Sequence, residues 1–147
     1  MDAEDQVPDG MDIGLISINL EEETLEYAGA NSPAYIVRNG DVIELKPDKR
    51  AIASFEPGTH TYTTHKVPLH DGDMVYCASD GYADQFGGPK GRKFMRKRFR
   101  GLLSEMAVMP VEEQEDQLQS RIENWRREAE EDQVDDILVC GVRIRLG

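Results

Sequence analysis

Two acidic motifs hold the residue types that metal chemistry needs. Ser79-Asp80-Gly81-Tyr82-Ala83-Asp84 follows directly on the apolar run 74–78, and Asp135-Asp136 directly precedes the apolar run 137–144. Both runs read as strands. If they are antiparallel neighbours, the exit of one lies beside the entry of the other. A strand spacing of about 4.8 Å then puts Asp80 and Asp135 on one rim, within reach of a shared cation. Oxygen-only ligands suit a hard ion such as Mg²⁺ or Mn²⁺ better than zinc. Gly81 lets the backbone turn sharply there. The same residues also suit plain loop chemistry, since Asp-Gly is a turn dipeptide, and spacing alone favours that reading.

Other candidates carry less. Gly87-Gly88-Pro89-Lys90-Gly91-Arg92-Lys93 is glycine-rich and basic, but no Gly-Lys-Ser/Thr closes it into a Walker A loop. At a helix start its free N–H groups would suit an anion, with Lys90 and Arg92 as substrate contacts. A solvated helix face is the plainer account. His60, His65 and His70 are five apart, which fits neither one helix face nor one strand face, so surface positions are expected. A general acid among them is the alternative. Asp71-Gly72-Asp73 begins like an EF-hand, but Val75 and Cys77 fall where ligands are needed. Neither Cys77 nor Cys140 has an arginine six residues on, so both read as buried structural thiols, without a disulfide framework.

The chain has 147 residues, a length for one domain that buries roughly 70% of the surface its unfolded form exposes. With 39% hydrophobic residues it can build a core, which separates it from a disordered acidic tail. Its 29 acidic against 17 basic side chains argue against nucleic acid as a partner, because phosphate binding needs a basic footprint. The exception is local: Lys90, Arg92, Lys93, Arg96, Lys97, Arg98 and Arg100 fall within 90–100 with no acid among them. No apolar run approaches the length of a membrane span. The acidic start, Met1-Asp2-Ala3-Glu4-Asp5, is unlike a secretory signal. A reduced, cytoplasmic protein without membrane contact is the expectation.

Residues 1–11 read as a loose lead-in. Ile13, Leu15, Ile16 and Ile18 put apolar groups on both faces, which predicts a buried strand. Strands follow at 24–28, 34–38 and 41–45, the last two joined by Asn39-Gly40, a two-residue hairpin signal. Residues 46–58 read as a long loop, 61–67 as an edge or one-sided strand, and 74–78 as a central strand after the Asp71-Gly72 turn. The period then changes. Met95, Phe99, Leu102, Leu103 and Met106 form one helical stripe. Pro110 suits a first helical position, and Val111, Leu118, Ile122, Trp125 and Ala129 form a second stripe. Trp125 should pack that helix onto the sheet. A last strand at 137–144 completes an α+β domain, mostly antiparallel sheet with a C-terminal antiparallel helix pair.

Asp9-Gly10-Met11-Asp12-Ile13, Ala28-Gly29-Ala30-Asn31-Ser32-Pro33, Ser79-Asp80-Gly81-Tyr82-Ala83-Asp84-Gln85-Phe86-Gly87-Gly88 and Val134-Asp135-Asp136-Ile137-Leu138-Val139 occur in that order. Together they resemble the metal-dependent serine/threonine protein phosphatases of the PPM type, in the branch typified by the stage II sporulation protein E phosphatase. The resemblance implies a β-sandwich flanked by helix pairs. It also implies aspartates at one end that hold two Mn²⁺ or Mg²⁺ ions, and a metal-activated water that attacks phosphoserine or phosphothreonine. It matches Asp80 and Asp135 to metal ligands, matches Asp84 to a carboxylate near a further metal, and places Lys90 and Arg92 beside the active-site loop. The implied partner is a phosphoprotein such as an anti-sigma-factor antagonist. The family's upstream Gly-Asp-Phe-Tyr-like strand and the Asp-Gly motif after it have no counterpart in residues 1–8. The chain therefore reads as a single, N-terminally truncated phosphatase domain over 1–147, lacking N-terminal strands and with impaired hydrolysis. Self-association would cover the truncated sandwich. A non-catalytic interaction module that keeps the fold is the alternative.

Overall fold

The computed structural model describes residues 10–53 and 60–147. In chain order the elements are β1 (Gly10–Met11), β2 (Ile13–Asn19), β3 (Thr24–Ala30), β4 (Ala34–Arg38), β5 (Asp41–Leu45), β6 (Ile52–Ala53), β7 (Thr64–Pro68) and β8 (Met74–Ala78). After these come α1 (Gly81–Asp84), β9 (Phe86–Gly87), β10 (Arg92–Lys93), α2 (Arg96–Met106), α3 (Val111–Glu128) and β11 (Val139–Arg143). A four-stranded antiparallel sheet runs β11-β8-β4-β5, and a three-stranded one runs β2-β3-β7. Two short ribbons, β1-β6 and β9-β10, complete the pairing.

Alternation along β4 and β8 explains the layering. Ala34, Ile36 and Val75 face Leu25 and Tyr27 of the three-stranded sheet, forming a core between the sheets. Tyr35, Val37, Met74 and Tyr76 face the other way, onto Phe99, Leu102, Leu103 and Met106 of α2 and Ile122 of α3. Both faces of the larger sheet are therefore covered, which is why 34–37 and 74–76 read as continuous apolar runs. The Asn39-Gly40 hairpin forms as expected: both residues take positive φ (50° and 84°), and Arg38 pairs with Asp41.

Several expectations need correction. Among the described residues β2 is an edge strand of its sheet, with β3 as its neighbour, and Leu15 is 66% exposed, so the strand is not buried. Its alternation still holds, since Ile16 packs against the core between the sheets. Gly10 and Met11 end the lead-in as a strand paired with Ile52 and Ala53, which also interrupts the 46–58 loop. Residues 1–9 and 54–59, which hold the rest of those two segments, lie outside the described residues. Met95 is 54% exposed and precedes α2, so it leaves the predicted stripe. Pro110 caps α3 from outside, and Val111 is 42% exposed at the overhanging first turn. The buried position one turn on is Gln114, whose side chain accepts from the Tyr76 hydroxyl at 2.6 Å and donates to the Met109 carbonyl at 3.0 Å. Trp125 packs α3 onto the segment after β8 rather than directly onto the sheet: its ring lies 5.3 Å from Phe94 between centroids and against Gly88. The last strand is shorter than 137–144, spanning Val139–Arg143.

Candidate functional site

The juxtaposition on which the site depends is present. β8 and β11 are antiparallel neighbours, with Ala78 opposite Val139 and Cys77 opposite Cys140. The chain beyond both ends stays zipped. Ser79 N–H donates to the Leu138 carbonyl at 2.9 Å, Leu138 N–H donates to Ser79 Oγ at 3.0 Å, and Ser79 Oγ donates to the Asp136 carbonyl at 2.8 Å. Gly81 completes this contact for a reason other than the expected turn. A Cβ there would collide with the Asp136 carbonyl, so glycine serves the close approach of the two acidic segments.

Asp80 occupies the N-cap position of α1, yet its side chain makes no capping hydrogen bond. The turn reading predicts that its oxygens are spent on local backbone N–H groups. They face outward instead, and Arg96 approaches Oδ1 at 3.9 Å. Burial pushes the Asp80 carboxyl above its ordinary range, and the charges of Asp84, Asp12 and Asp135 push the same way against the pull of Arg96. Four carboxylates thus share one electrostatic neighbourhood. Asp84 pairs with Lys93 at 3.3 Å. Asp12 accepts from Asn31 Nδ2 at 2.9 Å. Asp135 accepts from the next backbone N–H at 2.8 Å, so part of its capacity is spent locally, as in a turn.

The donor set suits a hard cation, being all carboxylate and mutually repulsive without one. Asp80, Asp84 and Asp135 could hold it. Among the described residues, however, no three such groups stand close enough together to form a ready cage. The loop that carries Asp80 and Asp84 is anchored from below. Tyr82 and Phe94 meet edge to face at 5.3 Å, Tyr82 lies 5.1 Å from Phe99, and the Tyr82 hydroxyl donates to the Leu118 carbonyl at 2.7 Å.

Lys90 and Arg92 are exposed, Lys90 in the turn between β9 and β10 and Arg92 at the first residue of β10. The segment is thus a hairpin at that point, and the helix begins only at Arg96. His65 is half-buried, with Nε2 at 3.1 Å from the Lys46 carbonyl and its ring 5.8 Å from Tyr27, which corrects the surface expectation. His60 and His70 are exposed. The thiols depart from the expectation too: Cys77 is half-buried and Cys140 exposed. Sequence reasoning singled out neither Asp12 nor Arg96, although both lay inside segments it had marked. What could have found Arg96 is the run of cations at a helix start, where they are electrostatically misplaced.

Two sheets with a helix pair on the outer face, and carboxylates at one end of the central strands, define a PP2C-type phosphatase fold. The stage II sporulation protein E (SpoIIE) family matches residues 4–145, and the chain belongs to that family. Among solved structures, the SiaA-PP2C domain of Pseudomonas aeruginosa is 33% identical with a TM-score of 0.81, over 90% of this chain and 51% of that one. The phosphatase domain of SpoIIE from Bacillus subtilis, presoaked with Mn, shares the fold at 22% identity and TM-score 0.65, over 91% of this chain and 56% of that one. So does the serine/threonine phosphatase PstP/Ppp of Mycobacterium tuberculosis, at 15% identity and TM-score 0.65, over 92% and 60%. This chain therefore spans little more than half the length of these relatives. No curated protein sequence matches it significantly.

Proposed function

We propose that the chain is the part of a protein phosphatase domain that carries Asp80, Asp135 and Asp84 as metal carboxylates. The reaction is hydrolysis of phosphoserine or phosphothreonine in a regulatory protein. Mn²⁺ or Mg²⁺, when bound, supplies an activated water and a counter-charge for the phosphoryl oxygens. The residues themselves hold the cation, keep the Asp80 loop rigid on its aromatic base, and present Lys90 and Arg92 to the substrate protein. Membership of the SpoIIE family supports this reading. The observation that carries it is the Asp80 carboxylate, left uncapped among Asp12, Asp84 and Asp135. The substrate class is a phosphorylated regulator, for which an anti-sigma-factor antagonist is our candidate. One neighbour in fold joins RsbU and RsbW domains in a single Mycobacterium tuberculosis protein, at 16% identity. We place the domain in the cytoplasm; no described helix is long and apolar enough to cross a membrane.

With no three-ligand cage among the described residues, this chain alone should bind the ion weakly and turn over slowly. The test is Mn²⁺-dependent hydrolysis of p-nitrophenyl phosphate, by the chain and by a longer form extended upstream. Turnover in either that falls more than about 100-fold in Asp80→Ala supports the reading, since even residues behind metal ligands cost about 10–100-fold. Turnover indifferent to Mn²⁺ and to Asp80 overturns it.

A second reading has one observation in its favour. Asp80 and Asp84 already have internal counter-ions in Arg96 and Lys93, which a non-catalytic interaction module would keep. A longer form that folds and binds a partner but never hydrolyses phosphate would favour it. The exposed apolar side chains of the β2 edge, Leu15 above all, support self-association as a further proposal. Sedimentation as a monomer at tens of micromolar would rule that out.

A further inference from the structure

Beside Asp80 opens a cavity of about 580 Å³, lined by both acids and cations. The acids are Asp12, Glu44 and Asp80, and the cations are Lys46, Lys49 and Arg96. Glu44 is already paired, with Arg100 at 3.2 Å. Arg96 is committed only loosely: 3.9 Å from Asp80 is a charge contact beyond hydrogen-bond length, and a guanidinium has five N–H donors to place.

The chain places Arg96 there against two local preferences. Met95, just before it, has φ 77° and ψ 148°, a backbone region costly for any residue with a Cβ. That corner is locked by main-chain bonds to the Asp80 loop: Met95 N–H to the Ala83 carbonyl at 2.8 Å, and Phe94 N–H to the Gln85 carbonyl at 2.8 Å. The exposed Met95 side chain gains no burial in return. Moreover, α2 opens with Arg96, Lys97 and Arg98 and no acid in its first turn, opposing the positive end of the helix dipole. Violations of local rules that converge on one point mark function more often than accident. A phosphate dianion at that point would relieve both the charge clash and the crowding of cations.

We propose that Arg96 is the phosphate-binding residue of this site. In this assignment it grips the phosphoryl oxygens of a phosphoserine or phosphothreonine segment lying in the cavity, with Lys46 and Lys49, which also line it, drawing the segment in. The assignment rests on the phosphatase reading above. Arginine is suited to the task because its planar fork meets two phosphate oxygens at once, whereas lysine offers a point charge. Until a ligand arrives, Asp80 holds the guanidinium in place.

The test uses inorganic phosphate binding, Mn²⁺ binding and p-nitrophenyl phosphate kinetics, on the chain and on the longer form, with wild type, Arg96→Gln, Arg96→Lys and Lys97→Gln. Arg96→Gln should weaken phosphate binding and lower kcat/KM at least about 10-fold, the loss of one charge-assisted contact. Mn²⁺ affinity should stay equal or rise, because a competitor for Asp80 is gone. Arg96→Lys should recover part of the loss, and Lys97→Gln should match wild type. Arg96 is exposed, so an unchanged melting temperature will confirm that the variant folds. If wild type binds Mn²⁺ and hydrolyses the ester, and Arg96→Gln does both equally with unchanged phosphate affinity, the assignment fails and the phosphatase reading stands. If no wild-type form binds Mn²⁺ or hydrolyses the ester, the phosphatase reading fails and takes this assignment with it.

Discussion

Arg38 at the end of β4 and Asp73 just ahead of β8 form a two-pronged ion pair, Nε to Oδ1 at 2.9 Å and Nη2 to Oδ2 at 2.7 Å. The Asp73 side chain is 1% exposed and also accepts the His70 backbone N–H at 2.8 Å. Arg38 spends a further bond on the Pro68 carbonyl at 3.0 Å. The pair thus ties the β7–β8 connection to β4 and fixes where β8 starts, hence where its far end delivers Asp80. Asp73→Ala should destabilise the fold by about 3 kcal/mol, because it strands a largely buried guanidinium. Chemical denaturation would read this as a lower midpoint with unchanged slope.

The same pair predicts a pH dependence. Burial alone would raise the Asp73 carboxyl, but the Arg38 hydrogen bonds, the His70 N–H and the nearby charges outweigh it and hold it below the ordinary range. A depressed folded pKa stabilises above the unfolded value of about 4 and is lost as pH falls through the folded value. Stability of the wild type should therefore drop more steeply below pH ~4 than that of Asp73→Ala. Parallel denaturation curves for the two proteins across that window would contradict it.

Asp80 should behave in the opposite sense. Burial and three neighbouring carboxylates raise its pKa, so the folded state favours the protonated form. That stabilisation is complete below the unfolded pKa and is lost as pH rises through the folded one. At neutral pH without metal, Asp80→Asn should then be slightly more stable than wild type. The gain should be no more than about 1 kcal/mol, because the half-exposed carboxylate is screened by solvent. The advantage should vanish near pH 4. Added Mn²⁺ should raise the melting temperature of wild type and leave Asp80→Asn unmoved. A stability cost at the carboxylate proposed to hold the metal would be a familiar trade between stability and function.

How far the sequence foretold this depends on whether a signal is local. The Asn39-Gly40 hairpin, the limits of β4, β5 and β8, and the pairing of the two acid-flanked strands were legible, because turn chemistry and apolar runs are written in adjacent residues. The exposure of Leu15 was not, since an apolar residue does not record whether another layer faces it. Gln114 was missed for a related reason. A polar residue on a helical stripe looks solvent-facing until its partner, the Tyr76 hydroxyl, arrives from 38 residues away. At the site, the clustering of acids around Asp80 could be read from residue types, whereas the placement of Arg96 beside it depends on a backbone corner at Met95 that no residue there announces.

Gly88 offers a test of how the Asp80 loop is held to α3. It has φ 69°, its N–H donates to the Trp125 carbonyl at 2.7 Å, and a Cβ there would run into the Trp125 ring. The indole in turn donates Nε1–H to the Gln85 carbonyl at 3.1 Å. Gly88→Ala combines left-handed strain with overpacking, together about 2–4 kcal/mol. Because the damage falls on the anchor, amide exchange should speed up in 81–94 before the sheets respond. Protection lost first from β4 and β8 instead would show that the loop is not held this way.

The two thiols differ enough in setting to be told apart chemically. Cys77 sits on β8 packed against the core between the sheets, and burial, then the nearby Cys140, pushes its pKa up to about 11. Cys140 lies directly across from it on β11 and is exposed. Because Cys140 is open to solvent, iodoacetamide at pH 7.5 should label it quickly. Cys77 should react only as the β8-β11 pairing opens, at a rate that rises with denaturant. Tryptic mapping of the two sites gives both rates in one experiment. Equal labelling of Cys77 and Cys140 in the native protein would mean that β11 separates from β8 readily. The rim on which Asp80 and Asp135 are proposed to hold a cation would then be assembled only part of the time, and if those two residues do hold Mn²⁺, its addition should slow the labelling of Cys77.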